Sequence, residues 1–392
     1  MAIALASLGH LISLPTAEAQ GLLGIGQYGS EIGKAQPLTM SVHGVAGWDS
    51  NVNTAPSGQE IDTFFGGGGL SLGYSMANDT TRFDLNGGLD ALYYDETAQG
   101  GDVFYNTRFT ANLGHQISRR LSITNNGLFA YEIEPDYLIG ASAAFRNDQY
   151  LYGYNRTAVW FSLTDLLALV SSYTIEGVRY EDDLLSFRED RLSHYFGEQL
   201  RYALDRQTSV RAEYRYGMTR YDQAPLDSDA HYFLAGIDRN FSEYTSGSFA
   251  AGAEYRDYDR FDAFWRPYAE AGIRHRVTED ITVRWMGRAG LENNEVFGFR
   301  DRYTYRTGVI VEQTVTSNLT TNVGVSYLHS EFDAIGAPDR TEDAVLVNAG
   351  LAYHFNPNFE VNAGYSFATY SSDETEREYD RHRITVGAKA SF

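Results

Sequence analysis

The chain has 392 residues, a formal charge of -21 and no cysteine, which excludes a disulfide framework and thiolate chemistry and argues against nucleic acid as a partner, since phosphate binding needs a basic surface. Aromatic residues reach 14%, with 29 Tyr and 22 Phe, alongside 38 Gly and only 8 Pro, a mix that suits strands and turns. Mean hydropathy is -0.36 and no apolar run reaches about 18 residues, which excludes a transmembrane helix but not a transmembrane barrel, whose strands need only alternate residues apolar.

The first residues, MAIALASLGHLISLPTAEAQ, join an apolar stretch from Ala2 to Leu14 to the small-x-small site Ala17-Glu18-Ala19. This is the pattern of a secretory signal peptide cut after Ala19, although no Lys or Arg precedes Lys34. Residues 20–37 then read as a periplasmic lead-in, and 38–392 as one domain. In that domain a single module repeats, a run of alternating residues followed by a turn or loop. The predicted strands run 38–51, 61–76, 81–95, 102–117, 121–134, 148–163, 166–181, 190–204, 208–222, 229–241, 246–258, 263–277, 281–293, 300–315, 319–332, 342–355, 359–371 and 379–392.

Connectors of two kinds alternate. Short ones are built of turn formers, such as Ala77-Asn78-Asp79, Asp205-Arg206-Gln207 and Asn356-Pro357-Asn358; longer ones are acidic, such as YEDDLLSFRED, DQAPLDSDA and HSEFDAIGAPDRTED. Short periplasmic turns against longer external loops are the asymmetry of a barrel. Each strand has one apolar face: Val345, Val347, Ala349, Leu351, Tyr353 and Phe355 oppose Asn348, Gly350 and His354. One apolar and one polar face, repeated around the chain, suit lipid outside and water inside. The expected fold is all-β, a transmembrane antiparallel up-and-down barrel of about 18 strands (16 as the alternative), with both termini periplasmic. Tyr and Phe crowd toward strand ends, as interfacial girdles do. Two places resist the pattern: from Tyr150 to Leu163 either parity is defensible, and Glu198 falls on the apolar face of Leu192, Phe196, Leu200 and Tyr202. A bulge that repairs the register and a neighbouring protein that faces Glu198 are the two readings.

The last strand, TVGAKASF, carries Thr385, Gly387, Ala390 and Phe392 at the spacing of the insertion signal of Gram-negative outer-membrane barrels, with Ala390 where an aromatic is usual. Tyr-rich strands and turns such as NLTTNVGVSYLHS and NPNFEVNAGYSF resemble the beta-barrel porins of the second type, a family that includes barrels encoded with exopolysaccharide export systems. The resemblance implies a barrel in a bacterial outer membrane, in contact with lipid, lipopolysaccharide and the barrel assembly machinery.

With apolar faces set to lipid, the lumen acquires Arg201, Arg211, Arg215, Arg266, Arg274, Arg276, Arg284, Arg288 and Arg306, with fewer acids among them: Glu213, Glu270, Glu292 and Glu312. Such a wall sets selectivity and favours anionic or sugar-like solutes, unless the arginines are merely paired with carboxylates. The acids of the external side, Glu181, Asp182, Asp183, Asp227, Asp229, Glu295, Asp339, Glu342, Asp343, Asp373, Glu374 and Glu376, read as a solvated rim, with divalent bridging of lipopolysaccharide phosphates as the alternative. No spacing marks a metal or cofactor site. The nine histidines never fall two to a strand and no GxSxG or HExxH occurs, so catalysis is not expected. The expected function is a porin for hydrophilic solutes; the alternative is the conduit of an exopolysaccharide secretion system, partnered by periplasmic export proteins.

Overall fold

A computed structural model of the chain describes residues 38–97, 102–133, 149–293, 299–334 and 339–392. The expected signal peptide, the lead-in and Glu295 lie outside them. The strands are β1 (Leu38–Asp49), β2 (Thr63–Ala77), β3 (Thr81–Tyr94), β4 (Asp102–Ser118), β5 (Leu121–Ile133), β6 (Gln149–Ser162), β7 (Leu167–Tyr180), β8 (Arg191–Ala203), β9 (Thr208–Tyr221) and β10 (Ser228–Asn240). They continue with β11 (Thr245–Tyr258), β12 (Phe264–Arg276), β13 (Ile281–Glu292), β14 (Phe299–Thr316), β15 (Leu319–Ala334), β16 (Arg340–Asn356), β17 (Phe359–Ser372) and β18 (Tyr379–Ser391); one short helix, α1 (Asp183–Glu189), lies between β7 and β8.

Each strand pairs antiparallel with the next, and β1 pairs with β18, so the sheet of 18 strands closes on itself. Closure removes both sheet edges, the arrangement a β-structure needs where no water can satisfy backbone amides. At the seam Val42 stands opposite Ala390 and Ala46 opposite Val386, and the amide of Phe392 donates to the Met40 carbonyl at 2.7 Å. A Val386→Pro exchange removes one ladder donor inside this seam and costs several kcal/mol where hydrocarbon is the only alternative partner. The expected result is loss of the compact, heat-modifiable band on a semi-native gel.

Register shifts occur near strand ends, at Gln116/Ser118, Phe299/Asp301, Thr314/Thr316 and His354/Asn356. Between them parity is unbroken. It therefore settles the two doubtful places: β6 turns Tyr150, Tyr152, Tyr154, Arg156, Ala158 and Trp160 inward, and β8 contains no bulge, so Glu198 points outward with Leu200 and Tyr202.

Short turns are held by their own side chains. In the β8–β9 turn the Asp205 carboxylate accepts the amides of Gln207 (2.7 Å) and Thr208 (2.8 Å), and these bonds, that of Gln207 first, hold its pKa below the usual carboxylate value. A lowered folded pKa means a stabilisation that is complete above the ordinary carboxylate range and disappears as pH falls through the lowered value. Asp205→Ala should therefore weaken the barrel toward urea at neutral pH, with the difference from the parent vanishing in strong acid.

Two of the longer connectors turn into the barrel mouth. In the β1–β2 connector Asn51 to Pro56 are buried, Val52 and Ile61 pack with the inward rings of Phe65 and Tyr94, and Asn51 ties the loop by accepting the Ala55 amide and donating to the Asp380 carbonyl. Helix α1 is capped by Asp182, which accepts the amides of Leu184 and Leu185, and Leu185 lies against the cluster of Tyr150, Tyr152 and Tyr180. The connector between β15 and β16 is shorter than its sequence indicates, because both strands extend past the membrane band into the acidic stretch.

Candidate functional site

The large exposed apolar side chains of the strands, among them Leu70, Leu89, Phe109, Leu200, Phe233, Phe249, Ile273, Val325, Leu351 and Val386, lie on one face of the sheet. In a closed sheet that is the outside. Phe64, Tyr93, Tyr105, Trp265 and Tyr305 stand outward toward the long-loop end, and Phe161, Tyr202, Phe241, Tyr244, Phe355 and Phe359 toward the short-turn end, two aromatic belts with apolar surface between them.

The register carries the opposite parity inside. Arg201 faces Arg211 across β8–β9; Glu213 and Arg215 follow on β9 opposite Leu234 and Tyr232. Arg266, Glu270, Arg274 and Arg276 share the inner side of β12, with Glu270 opposite Arg288 and Arg274 opposite Arg284. Arg288 in turn stands opposite Arg306, and Thr282 opposite Glu312. Of the closing-strand residues, Thr385 and Gly387 have the inner parity and Ala390 and Phe392 the outer one.

Most of these arginines are tied. Arg201 and Arg211 converge on Asp238, Arg211 also reaches Glu270 at 3.4 Å, and Arg215 holds Glu213 at 2.7 Å. Arg284 meets Glu312 at 2.8 Å and Arg266 stands 4.0 Å from Asp333. Glu292 is shared by three cations, Arg306 at 2.8 Å, Arg302 at 3.0 Å and Arg288 at 3.9 Å. The Tyr268 ring lies between the guanidinium groups of Arg215 (5.9 Å) and Arg288 (5.6 Å), favourable to each through the ring face, while its hydroxyl donates to Glu270 at 2.8 Å. Arg276 lies over the Tyr244 ring at 5.4 Å. Arg274 is exposed, and among the described residues it has no carboxylate partner.

Sequence reasoning missed several members of this wall. Arg256 with Glu254, Arg302, and the seam group Arg381, Arg383 and Asp49 follow from the same parity rule. Arg156 required the β6 register. Asp238 needed the stagger of β10, because a long arginine reaches a carboxylate that is not its direct neighbour. The inner sides of β1–β7 run the other way: Asp49, Asp84, Asp90, Asp102, Glu132 and Glu176 outnumber Arg82, Arg108 and Arg156 there.

The acidic rim needs correction. Glu342 is no loop residue: it is buried on the inner side of β16 and held by Arg340 (2.8 Å) and Arg377 (3.1 Å). Asp343 and Asp229 sit on outward strand positions, paired with His329 and Arg220. The cause is the extension of the strands beyond the apolar band. His194 and His231 are hydrogen-bonded to the hydroxyls of Tyr173 and Tyr214, each at 2.8 Å. No group of three His, Cys, Asp or Glu poised for a metal occurs among the described residues.

No curated protein matches the chain. Solved structures similar in architecture include OccAB4 from Acinetobacter baumannii (14% identity, TM-score 0.46, covering 91% of this chain and 98% of that one). OccK2 (OpdF) from Pseudomonas aeruginosa, solved with glucuronate, is similar at 10% identity and TM-score 0.47 over 91% of this chain and 98% of that one. The siderophore receptor PirA from Acinetobacter baumannii is similar at 6% identity and TM-score 0.43, over 91% and 81%. At such identities these likenesses concern shape alone. In sequence, the profile of the family described as Putative beta-barrel porin 2 matches residues 164–392, from the turn before β7 to the last strand, more than half the chain; the protein belongs to that family of β-barrel porins.

Proposed function

We propose that the barrel is an outer-membrane channel for small hydrophilic solutes, oriented with its short turns and both termini on the periplasmic side, and that its inner wall favours anionic or sugar-like cargo. The observation that carries this reading is the unequal wall: arginines outnumber carboxylates on the inner side of β8–β14, with Arg288, Arg302 and Arg306 gathered at Glu292. An incoming carboxylate or phosphate can share these guanidinium groups with Glu292 as a second acceptor. Arg274 and Arg276, toward the short-turn end, add charge that no carboxylate of the wall cancels. Arg–carboxylate recognition is directional and strong in a confined site.

In this reading Thr385, Gly387, Ala390 and Phe392 serve as the assembly signal, with Ala390 and Phe392 on the outward face of the last strand and Phe392 exposed. The test of the channel is planar-bilayer conductance of the refolded protein. Discrete open steps with a reversal potential on the anion side are expected in a salt gradient. A silent barrel, or one that prefers cations, overturns the proposal.

A further inference from the structure

The outer wall is apolar at mid-height almost everywhere, and the exception is local. On β5–β8 the outward positions Asn125, Asn155, Thr157, Ser171 and Glu198 form one polar patch. Asn125 donates to Asn155 (2.9 Å) and Thr157 (2.8 Å), Asn155 donates back (3.2 Å), and Ser171 donates to Glu198 at 2.8 Å. Further outward carboxylates of the strands, among them Asp229, Asp257, Glu331, Asp343 and Asp380, stand close to the long-loop ends. Glu198 does not: it lies well inside β8, between Phe196 and Leu200 in parity and beside Tyr214. At about 3.3 Å per residue and a tilt of about 40°, the patch is roughly 10–18 Å from the short-turn edge, inside an apolar band ~25 Å tall. Lipid tails offer such groups no partner, so polar side chains at this depth are placed where protein covers them.

We infer that the outer face of β5–β8 is an interface with a second copy of this chain. The patch is self-complementary. Its amides, donors and acceptors together, lie at one lateral side, on β5 and β6; its lone carboxylate lies at the other, on β8, at a similar depth. A two-fold axis along the membrane normal that passes near β6 and β7 brings the amides of one copy against Glu198 of the other, twice over, as an isologous contact does. The wall is also indented there: Gly127 and Gly153 face outward beside Asn155, and at Gly153 a side chain would meet nothing within 4 Å, so a neighbour can approach the backbone closely. A closed barrel has no strand edge to offer, and side chains are the means of contact left to it.

The chain contains no cysteine, so single-cysteine variants give a clean test in native outer membranes. Val159→Cys lies in the patch, in the same row as Ser171 and Glu198; Leu351→Cys is an outward residue of β16, about halfway round the cylinder. A short bismaleimide should join Val159→Cys chains into a product of twice the chain mass and leave Leu351→Cys chains single. Adding Glu198→Leu should cut the yield about tenfold or more, since the two-fold contact loses the Glu198 hydrogen bond twice. Heat-modifiability confirms that each variant still forms the barrel, and should Glu198→Leu fail to fold, the two cysteine positions decide alone. A product of any other mass at Val159→Cys, equal yields at both positions, no product at either, or a yield indifferent to Glu198→Leu overturns the inference.

Discussion

Exchanging Arg288 and Arg306 for glutamate is expected to turn an anion-preferring pore into a cation-preferring one, with the reversal potential in a salt gradient changing sign. The two residues face one another on the inner side of β13 and β14, and both are gathered at Glu292. Reversal replaces two of the three guanidinium groups around Glu292 by carboxylates. The effect should be large because the site is confined by low-dielectric walls, where charge acts at short range with little screening. Arg274→Glu alone, near the short-turn end and already exposed, should shift the potential in the same direction without reversing it. The double exchange leaves the outward face untouched, so the protein should still insert and show its heat-modifiable band. A folded double variant that keeps its anion preference would show that solutes do not pass this locus.

The second large effect concerns the seam. Asp49, fully buried at the end of β1, accepts from Arg381 of β18 through Nε (2.9 and 3.1 Å) and Nη2 (2.5 Å), with Arg383 at 3.9 Å. Asp49→Ala takes the carboxylate from a buried guanidinium at the junction of the first and last strands. Removing one partner of such a pair costs about 3–5 kcal/mol, mostly the penalty of the charge left behind. The expected result is a much lower urea midpoint for unfolding in micelles, and Asp49→Ala combined with Arg381→Leu should recover part of the loss. Equal stability of Asp49→Ala and the parent would mean that water in the mouth replaces the carboxylate.

The barrel was legible in the sequence because the bilayer imposes one rule on every strand. Alternate residues must be apolar, and the short hairpins carry their own turn chemistry, as Asp205 does. Strand ends consequently agree with the pattern to within a residue or two. Where the pattern was ambiguous, at Tyr150 to Leu163, the physical reason is that both faces of β6 are atypical. Its inner side carries three tyrosines that pack under α1, while its outer side carries Asn155 and Thr157. Parity also gave the faces of the arginines, but not their partners, because Asp238 and Glu292 are reached diagonally by long side chains. The inward fold of the β1–β2 connector was not legible at all. The connector TAPSGQE, residues 54–60, has the composition of the longer external loops, and only contacts with Phe65, Tyr94 and the backbone of β18 bury Asn51 to Pro56, its first three residues included.

The central claim, that neighbours along each strand meet different solvents, is open to one direct measurement: a cysteine scan along β16, residue by residue from Val345 to Leu351, in intact outer membranes. A lipid-phase nitroxide label or quencher should report the odd positions and a small water-soluble thiol reagent the even ones, in strict alternation. Reactivity with the water-soluble reagent at both parities, or no alternation at all, would contradict the account.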